Sequence, residues 1–177
     1  MITVTAAIIE KDNRIMAARR KSGSHLAGYW EFPGGKLEHG ETERECLARE
    51  LKEEFDIESV IGDFVGESVY DYGTKVIRLR GYRVTLLGGS LRCRDHDRVC
   101  WLPLEELHTL TWAPADLPLL QNMMEKAWIA ATLAYYCKNG STYVKETRTN
   151  DAQLPQVRLF ASLLPKGGHV LDLGCGS

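Results

Sequence analysis

An excess of one charge is missing from this chain. Its 22 Lys and Arg stand against 24 Asp and Glu, a formal net charge of −2, so the basic surplus that polynucleotide binding needs is absent. No Cys-x-x-Cys occurs, and the five cysteines (Cys46, Cys93, Cys100, Cys137 and Cys175) are odd in number. That argues against a zinc site or a closed disulfide framework and for free thiols in a reducing cytoplasm. Long apolar runs are also lacking. The longest, residues 127–137, is too short to span a bilayer, so no membrane partner is expected. Residues 1–10 hold no basic group ahead of their apolar positions, which excludes a secretion signal. What remains is a soluble chain whose length suits one ordinary domain and a small remainder.

What the chain does have is acid placed with a period. Glu50, Glu53 and Glu54 lie at i, i+3 and i+4 and share one face of a helix. Like charges at that spacing oppose the helix by roughly 0.2–0.5 kcal/mol per pair, a penalty that a bound cation would offset. Hard divalent ions take oxygen ligands and commonly carry substrate phosphates with them. Thr42 and Glu45 form a capping-box pattern that starts the helix. Stepping by about 100° per residue groups Leu47, Ala48, Leu51 and Phe55 on a core-facing side. Arg49 lies beside the acidic face, where its guanidinium can hold a carboxylate through paired hydrogen bonds. Upstream, residues 31–35 read as a short strand entering a tight turn, in which Gly34 can offer a carbonyl oxygen that a side chain would otherwise obstruct.

Along the rest of the chain, strands are expected over residues 2–9 and 14–20 around Lys11-Asp12-Asn13, and over 60–70 and 75–87 around Asp71-Tyr72-Gly73-Thr74, with a further one over 98–102. Gly88-Gly89 should break the fourth strand, and residues 103–107 make a single helical turn. A long helix follows, capped by Asp116, tolerant of Pro118 in its first turn, and ended after Lys138 by Asn139-Gly140. Mixed strands with helices on both sides make an α/β/α sandwich.

At this point the chain resembles the Nudix hydrolases. Gly35, Glu41, Arg49, Glu50, Leu51, Glu53, Glu54 and Ile57 fall on that family's spaced box. The one departure is Asp56, where the family carries a helix-ending Gly; Asp visits the left-handed conformation less readily. The resemblance covers about residues 1–128 and is nearest to MutT-like sanitation enzymes of the CTP pyrophosphohydrolase kind. It implies a Nudix α/β/α sandwich with a mixed sheet and a Mg2+ cofactor, for which Mn2+ can substitute. It implies metal ligands at Glu50, Glu53 and Glu54, aided by the Gly34 carbonyl and by an acidic loop residue. Asp95, six residues before Trp101, aligns best with that last ligand; Asp97 is the alternative. Glu50 is the general base, while Glu41 and Arg49 tie loop to helix. Cys46 offers only a small side chain near the acidic face, and His39 and His96 read as exposed loop residues. Asp116 matches the base-reading position. An ionised Asp only accepts hydrogen bonds, whereas a buried, protonated one also donates. Lys75 flanks the base, and Arg20 meets phosphate or solvent. The implied reaction converts a nucleoside triphosphate and water to a monophosphate and pyrophosphate, with (d)CTP-like or oxidised purine triphosphates such as 8-oxo-dGTP as substrates. Two alternatives stay open: hydrolysis of dinucleoside polyphosphates or nucleotide sugars, for which Tyr72 speaks, and a non-catalytic nucleotide-sensing module.

The tail differs in character. Ala134-Tyr135-Tyr136, Asn139, Tyr143 and Thr147, followed by residues 164–177 with Leu171-Asp172-Leu173-Gly174-Cys175-Gly176, resemble the opening of class I S-adenosylmethionine-dependent methyltransferases. There a buried strand ends in a glycine loop close to the cofactor. Residues 129–177 are therefore expected to be a linker helix and the truncated start of a methyltransferase-like domain, which makes a fused methyltransferase the expected partner.

Overall fold

A computed structural model describes residues 1–147, except the side chains of Tyr136 and residues 139–147; the methyltransferase-like stretch 164–177 lies outside the described residues. The chain divides into two units, Met1–Lys126 and one that begins at Ala127.

The first unit is built on a mixed sheet. Strands β1 (Ile2–Lys11) and β2 (Arg14–Arg20) form a hairpin whose turn residues Asp12 and Asn13 both have positive φ, a conformation that short polar side chains tolerate. β3 is the two-residue strand Trp30–Glu31, and helix α1 is Glu43–Phe55. Then come β4 (Ile57–Asp71), β5 (Val76–Gly89) and β6 (His96–Leu102), a 3-10 helix at Leu104–Thr109, and α2 at Leu117–Thr147. The order across the sheet is β3-β2-β1-β5-β4, and β6 also pairs with β2. β1 runs parallel to β5; the other pairings are antiparallel.

β1 shows why the layers form. Its side chains alternate across the sheet: Ala6 and Ile8 join Leu107, Leu119 and Leu120 on one face, while Ala7 and Ile9 join Leu47, Leu51 and Phe55 of α1 on the other. Fully burying each large apolar side chain contributes about 1.5–3 kcal/mol, so α1 is held to the sheet by its apolar stripe. Gly81 of β5 lets the second helix approach, because a Cβ there would come within 2.6 Å of Leu119.

Several sequence expectations move. The strands run longer: β4 starts at Ile57, directly after α1, and Gly88 and Gly89 remain in the ladder opposite Glu58 and Ile57. Ala48 is only half-buried, and Cys46 replaces it in the core of α1. α2 continues past Asn139-Gly140. The Asp116 side chain does not cap α2 but accepts the Phe32 amide at 2.9 Å. Among the described residues Cys46, Cys93, Cys100 and Cys137 are free thiols, and no helix is long and apolar enough to cross a membrane.

Candidate active site

The turn before α1 is laid against β1. Thr5 N donates to the Gly35 carbonyl at 2.8 Å and Ala7 N to the Pro33 carbonyl at 2.7 Å. The intervening Gly34 carbonyl is not part of this ladder. The closeness requires glycine: at Gly34, with φ +155°, a Cβ would sit 2.0 Å from the Thr5 carbonyl oxygen. Gly35 serves a second purpose. A Cβ there would lie 2.1 Å from Cδ of Glu50, so the missing side chain is the space that the Glu50 carboxylate fills.

α1 begins as its residues demand. Thr42 caps Glu45 N, the Glu45 carboxylate returns to Thr42 N, and both halves of the capping box are present. Glu41 and Arg49 then bridge loop and helix: Arg49 donates from Nη2 to Glu41 Oε1 at 2.8 Å and from Nε to Oε2 at 3.1 Å. With the Glu38 amide also donating, the Arg49 guanidinium holds the Glu41 carboxyl down at about 2. Arg49 Nη1 reaches Glu50 Oε1 at 3.0 Å and Glu53 Oε2 at 3.2 Å, so one guanidinium orients three carboxylates.

The acidic face is partly buried. Burial raises the Glu50 pKa, with Arg49 opposing the rise. Glu54 is pushed up to about 8, first by burial and then by the negative charges of Glu50, Glu31 and Asp95. Its Oε2 is buried and has no hydrogen-bond partner. A buried oxygen without a partner is costly. The donors available here are carboxylate and carbonyl oxygens, which suit Mg2+ or Mn2+. Among the described residues no three such groups stand together as a finished cation site, and Glu53 points outward with 59 % of its side chain exposed.

Asp95 is paired with Lys21 at 2.6 Å, and Asp97 with Arg19 at 2.7 Å; the Asp95 charge is near enough to Glu54 to help raise its pKa. His96 is not an exposed loop residue: only 3 % of its side chain is accessible. Cys46 is fully buried, its Sγ 3.5 Å from Thr5 Oγ1 and 3.8 Å from the Gly35 carbonyl oxygen, and burial lifts its pKa to about 11. It supports the glycine turn from behind and does not face the cleft.

A cleft of about 370 Å3 joins these parts. Glu50, Glu54, Gly34 and Gly35 line one end; Phe32, Tyr72, Lys75, Ala113, Ala115 and Asp116 line the other, and Arg20 and Glu31 also border it. Arg20 donates to Glu31 at 2.6 Å and to the His25 carbonyl. Asp116 is 5 % exposed, and burial, reinforced by Glu31, raises its pKa well above the ordinary carboxylate range even though the Phe32 amide opposes this. The shift favours the protonated form, which can both donate and accept. Tyr72 packs on Tyr70 and His25, and its hydroxyl accepts the Ala115 amide at 3.3 Å. Nothing in the local sequence announced the burial of His96; its place opposite Arg20 in the β2–β6 ladder, which only the pairing register reveals, is what turns it inward.

The NUDIX domain family model matches residues 1–123. The chain is 41% identical over 124 residues to the CTP pyrophosphohydrolase of Escherichia coli K12, covering 70% of this chain and 92% of that protein. It is 30% identical over 127 residues to the 8-oxo-dGTP diphosphatase of Haemophilus influenzae, covering 71% and 93%. The solution structure of the E. coli ORF135 protein superposes with a TM-score of 0.64 at 40% identity, over 71% of this chain and 89% of that one.

Proposed function

The chain belongs to the Nudix family, and from that premise we propose that it is a Mg2+-dependent nucleoside triphosphate pyrophosphohydrolase of the nucleotide-sanitation kind. The observation that carries this reading is one cleft with the buried Asp116, its pKa raised by burial, at one end and the Glu50–Glu54 face at the other. One end suits a base edge that offers both a donor and an acceptor; the other suits a polyphosphate accompanied by a divalent ion. The names of the relatives, a CTP pyrophosphohydrolase and an 8-oxo-dGTP diphosphatase, support (d)CTP-like or oxidised purine triphosphates as substrates.

In this reading Glu50, Glu53 and Glu54 hold the cation with the Gly34 carbonyl, and Asp95 joins them once released from Lys21. A bound Mg2+ or Mn2+ would screen phosphate charge and polarise phosphorus–oxygen bonds. The chain's own groups do the rest. Glu50, made more basic by burial and steadied by Arg49, takes a proton from the attacking water. That water forms a new bond to phosphorus as the α,β phosphoanhydride breaks, giving nucleoside monophosphate and pyrophosphate. Glu41 and Arg49 keep the glutamates in register. Asp116 reads the base, Lys75 flanks it, and Arg20 borders the phosphate path while orienting Glu31.

Residues 1–128 form the catalytic domain in this reading, working in the cytoplasm where nucleotide pools lie. Residues 129–177 continue as a linker helix into a methyltransferase-like segment, supported by the pattern in residues 164–177. A nucleotide panel with Mg2+, in which pyrophosphate and orthophosphate are measured separately, tests the activity. Pyrophosphate release from dCTP or 8-oxo-dGTP, abolished by chelator and reduced about 10²–10⁴-fold in Glu50→Gln, is expected. Turnover only of dinucleoside polyphosphates or nucleotide sugars would replace the substrate class. Tight nucleotide binding with no turnover would replace the enzyme with a sensor.

A further inference from the structure

His96 lies directly behind the acidic face without lining the cleft. Its Nε2 is 2.8 Å from Glu31 Oε1, and its ring stacks on Phe55 at a centroid distance of 5.0 Å with 20° between planes. Because Glu31 also takes the Arg20 guanidinium on its other oxygen, the imidazole is fixed on two sides. The remaining ring nitrogen, Nδ1, faces Glu54 Oε2 at 3.9 Å. Both of these atoms are buried and have no hydrogen-bond partner. At 3.9 Å they are not bonded; the ring is a wall against which one edge of the Glu54 carboxylate rests.

We propose that His96 is a positioning residue: held by Glu31 and Phe55, it shuts one edge of the Glu54 carboxylate away from water and fixes the angle at which the other edge meets a divalent cation. The proposal rests on the reading of Glu54 as a cation ligand. The imidazole is a shaped, hydrogen-bonded brace. Groups one step behind metal ligands typically control metal affinity by about 10–100-fold through such orientation. The brace sits beside Phe55 of α1 and donates to Glu31 of β3, so it couples the helix that carries the glutamates to the strand that leads into the glycine turn.

The test measures Mn2+ binding to the nucleotide-free protein by electron paramagnetic resonance of the free ion, with thermal unfolding recorded for every variant. His96→Gln keeps a donor within reach of Glu31. His96→Leu keeps bulk against Phe55 but has no donor, and His96→Asn is too short to span the gap and stands in if the Leu variant does not unfold cooperatively. Glu54→Gln reports on the cation site itself. The Leu and Asn variants should bind Mn2+ about tenfold more weakly. His96→Gln should stay within about threefold of the parent, and the nucleotide KM at saturating Mg2+ should change less than about twofold in all of them, since His96 does not touch the cleft. Parent-like Mn2+ affinity in the Leu and Asn variants, alongside weakening in Glu54→Gln, overturns the role of His96 alone. His96→Gln as weak as His96→Leu overturns it too, because the donor to Glu31 would then be irrelevant. Unchanged binding in Glu54→Gln as well removes the cation-ligand reading on which the proposal stands.

Discussion

Two adjacent glycines do different work, and substitution separates them. The three atoms nearest a Cβ at Gly35 belong to the end of the Glu50 side chain, whereas one at Gly34 meets the Thr5 backbone at 2.0 Å in a positive-φ conformation. Gly35→Ala should therefore displace the Glu50 carboxylate, lowering kcat by about 10²-fold while the unfolding midpoint stays close to the parent's. Gly34→Ala must move backbone and should lose about 1–3 kcal/mol of stability, as overpacking does, read from denaturant unfolding. Asp116 supplies a pH dependence. Its folded pKa is raised above the ordinary 3.8, so its contribution to stability is full below the unfolded value and is lost as pH rises through the folded one. Base recognition by the protonated form should follow the same sign. The nucleotide KM should climb on the alkaline side of that raised pKa, and Asp116→Asn, which cannot titrate, should remove the climb and keep both donor and acceptor. Positions set by helical period were legible in the sequence for Glu50 and Glu54, which line the cleft, and for the Arg49–Glu41 pair, while Glu53 turns outward. His96, Cys46 and the Asp116 side chain were not, because their surroundings come from strand register and from residues 84 positions apart, as in the Phe32–Asp116 bond.

At the level of single elements, the end of α1 sets two effects against each other. Asp56 adopts φ 55°, ψ 39°, a left-handed state costing roughly 1–2 kcal/mol for an ordinary L-residue and less for Asp. Its carboxylate accepts from Lys52 at 2.9 Å and Ser90 at 2.7 Å, and these bonds hold its pKa at about 2. Exposed ion pairs are worth about 0–1 kcal/mol, so glycine's relief of strain and aspartate's side-chain bonds nearly cancel. Asp56→Gly should leave the urea unfolding midpoint close to the parent's, while Asp56→Ala, which keeps the strain and loses both bonds, should unfold at lower urea than either. The same junction shows why element ends were harder to read than their centres. Gly88 and Gly89 signal a break by composition, yet Gly89 is needed where a Cβ would come within 2.2 Å of the Asp56 carbonyl oxygen, so the ladder runs on beside the helix end. Capping, by contrast, is a local interaction, and Thr42 with Glu45 fixed the start of α1 as the residues alone indicated.

At the scale of the whole molecule, the sandwich was legible because β1 and α1 each carry a clean apolar period, and two clusters on opposite faces of the sheet answer to it. The site is the place where that sandwich concedes stability. Glu50, Glu53 and Glu54 lie within one stretch of helix, Glu53 turned outward and Glu54 with a buried and unpartnered oxygen, and no local rule of helix design favours like charges so spaced. If the concession exists to hold a divalent ion, folding and binding must be linked. Ligand at about 100 times its dissociation constant stabilises the native state by about 2.7 kcal/mol. Mg2+ should accordingly raise the unfolding midpoint of the parent, by roughly 4–8 °C per kcal/mol at the upper end for a domain of about 100 residues and less for a larger one. Glu54→Gln isolates the cause above pH 8, where the Glu54 carboxylate is ionised in the folded protein: it removes a buried like charge and keeps the volume. In chelator this variant should unfold at a higher temperature than the parent, and added Mg2+ should shift its midpoint far less. A variant less stable than the parent in chelator, yet still fully responsive to Mg2+, would mean that the buried carboxylate braces the fold and the ion binds elsewhere.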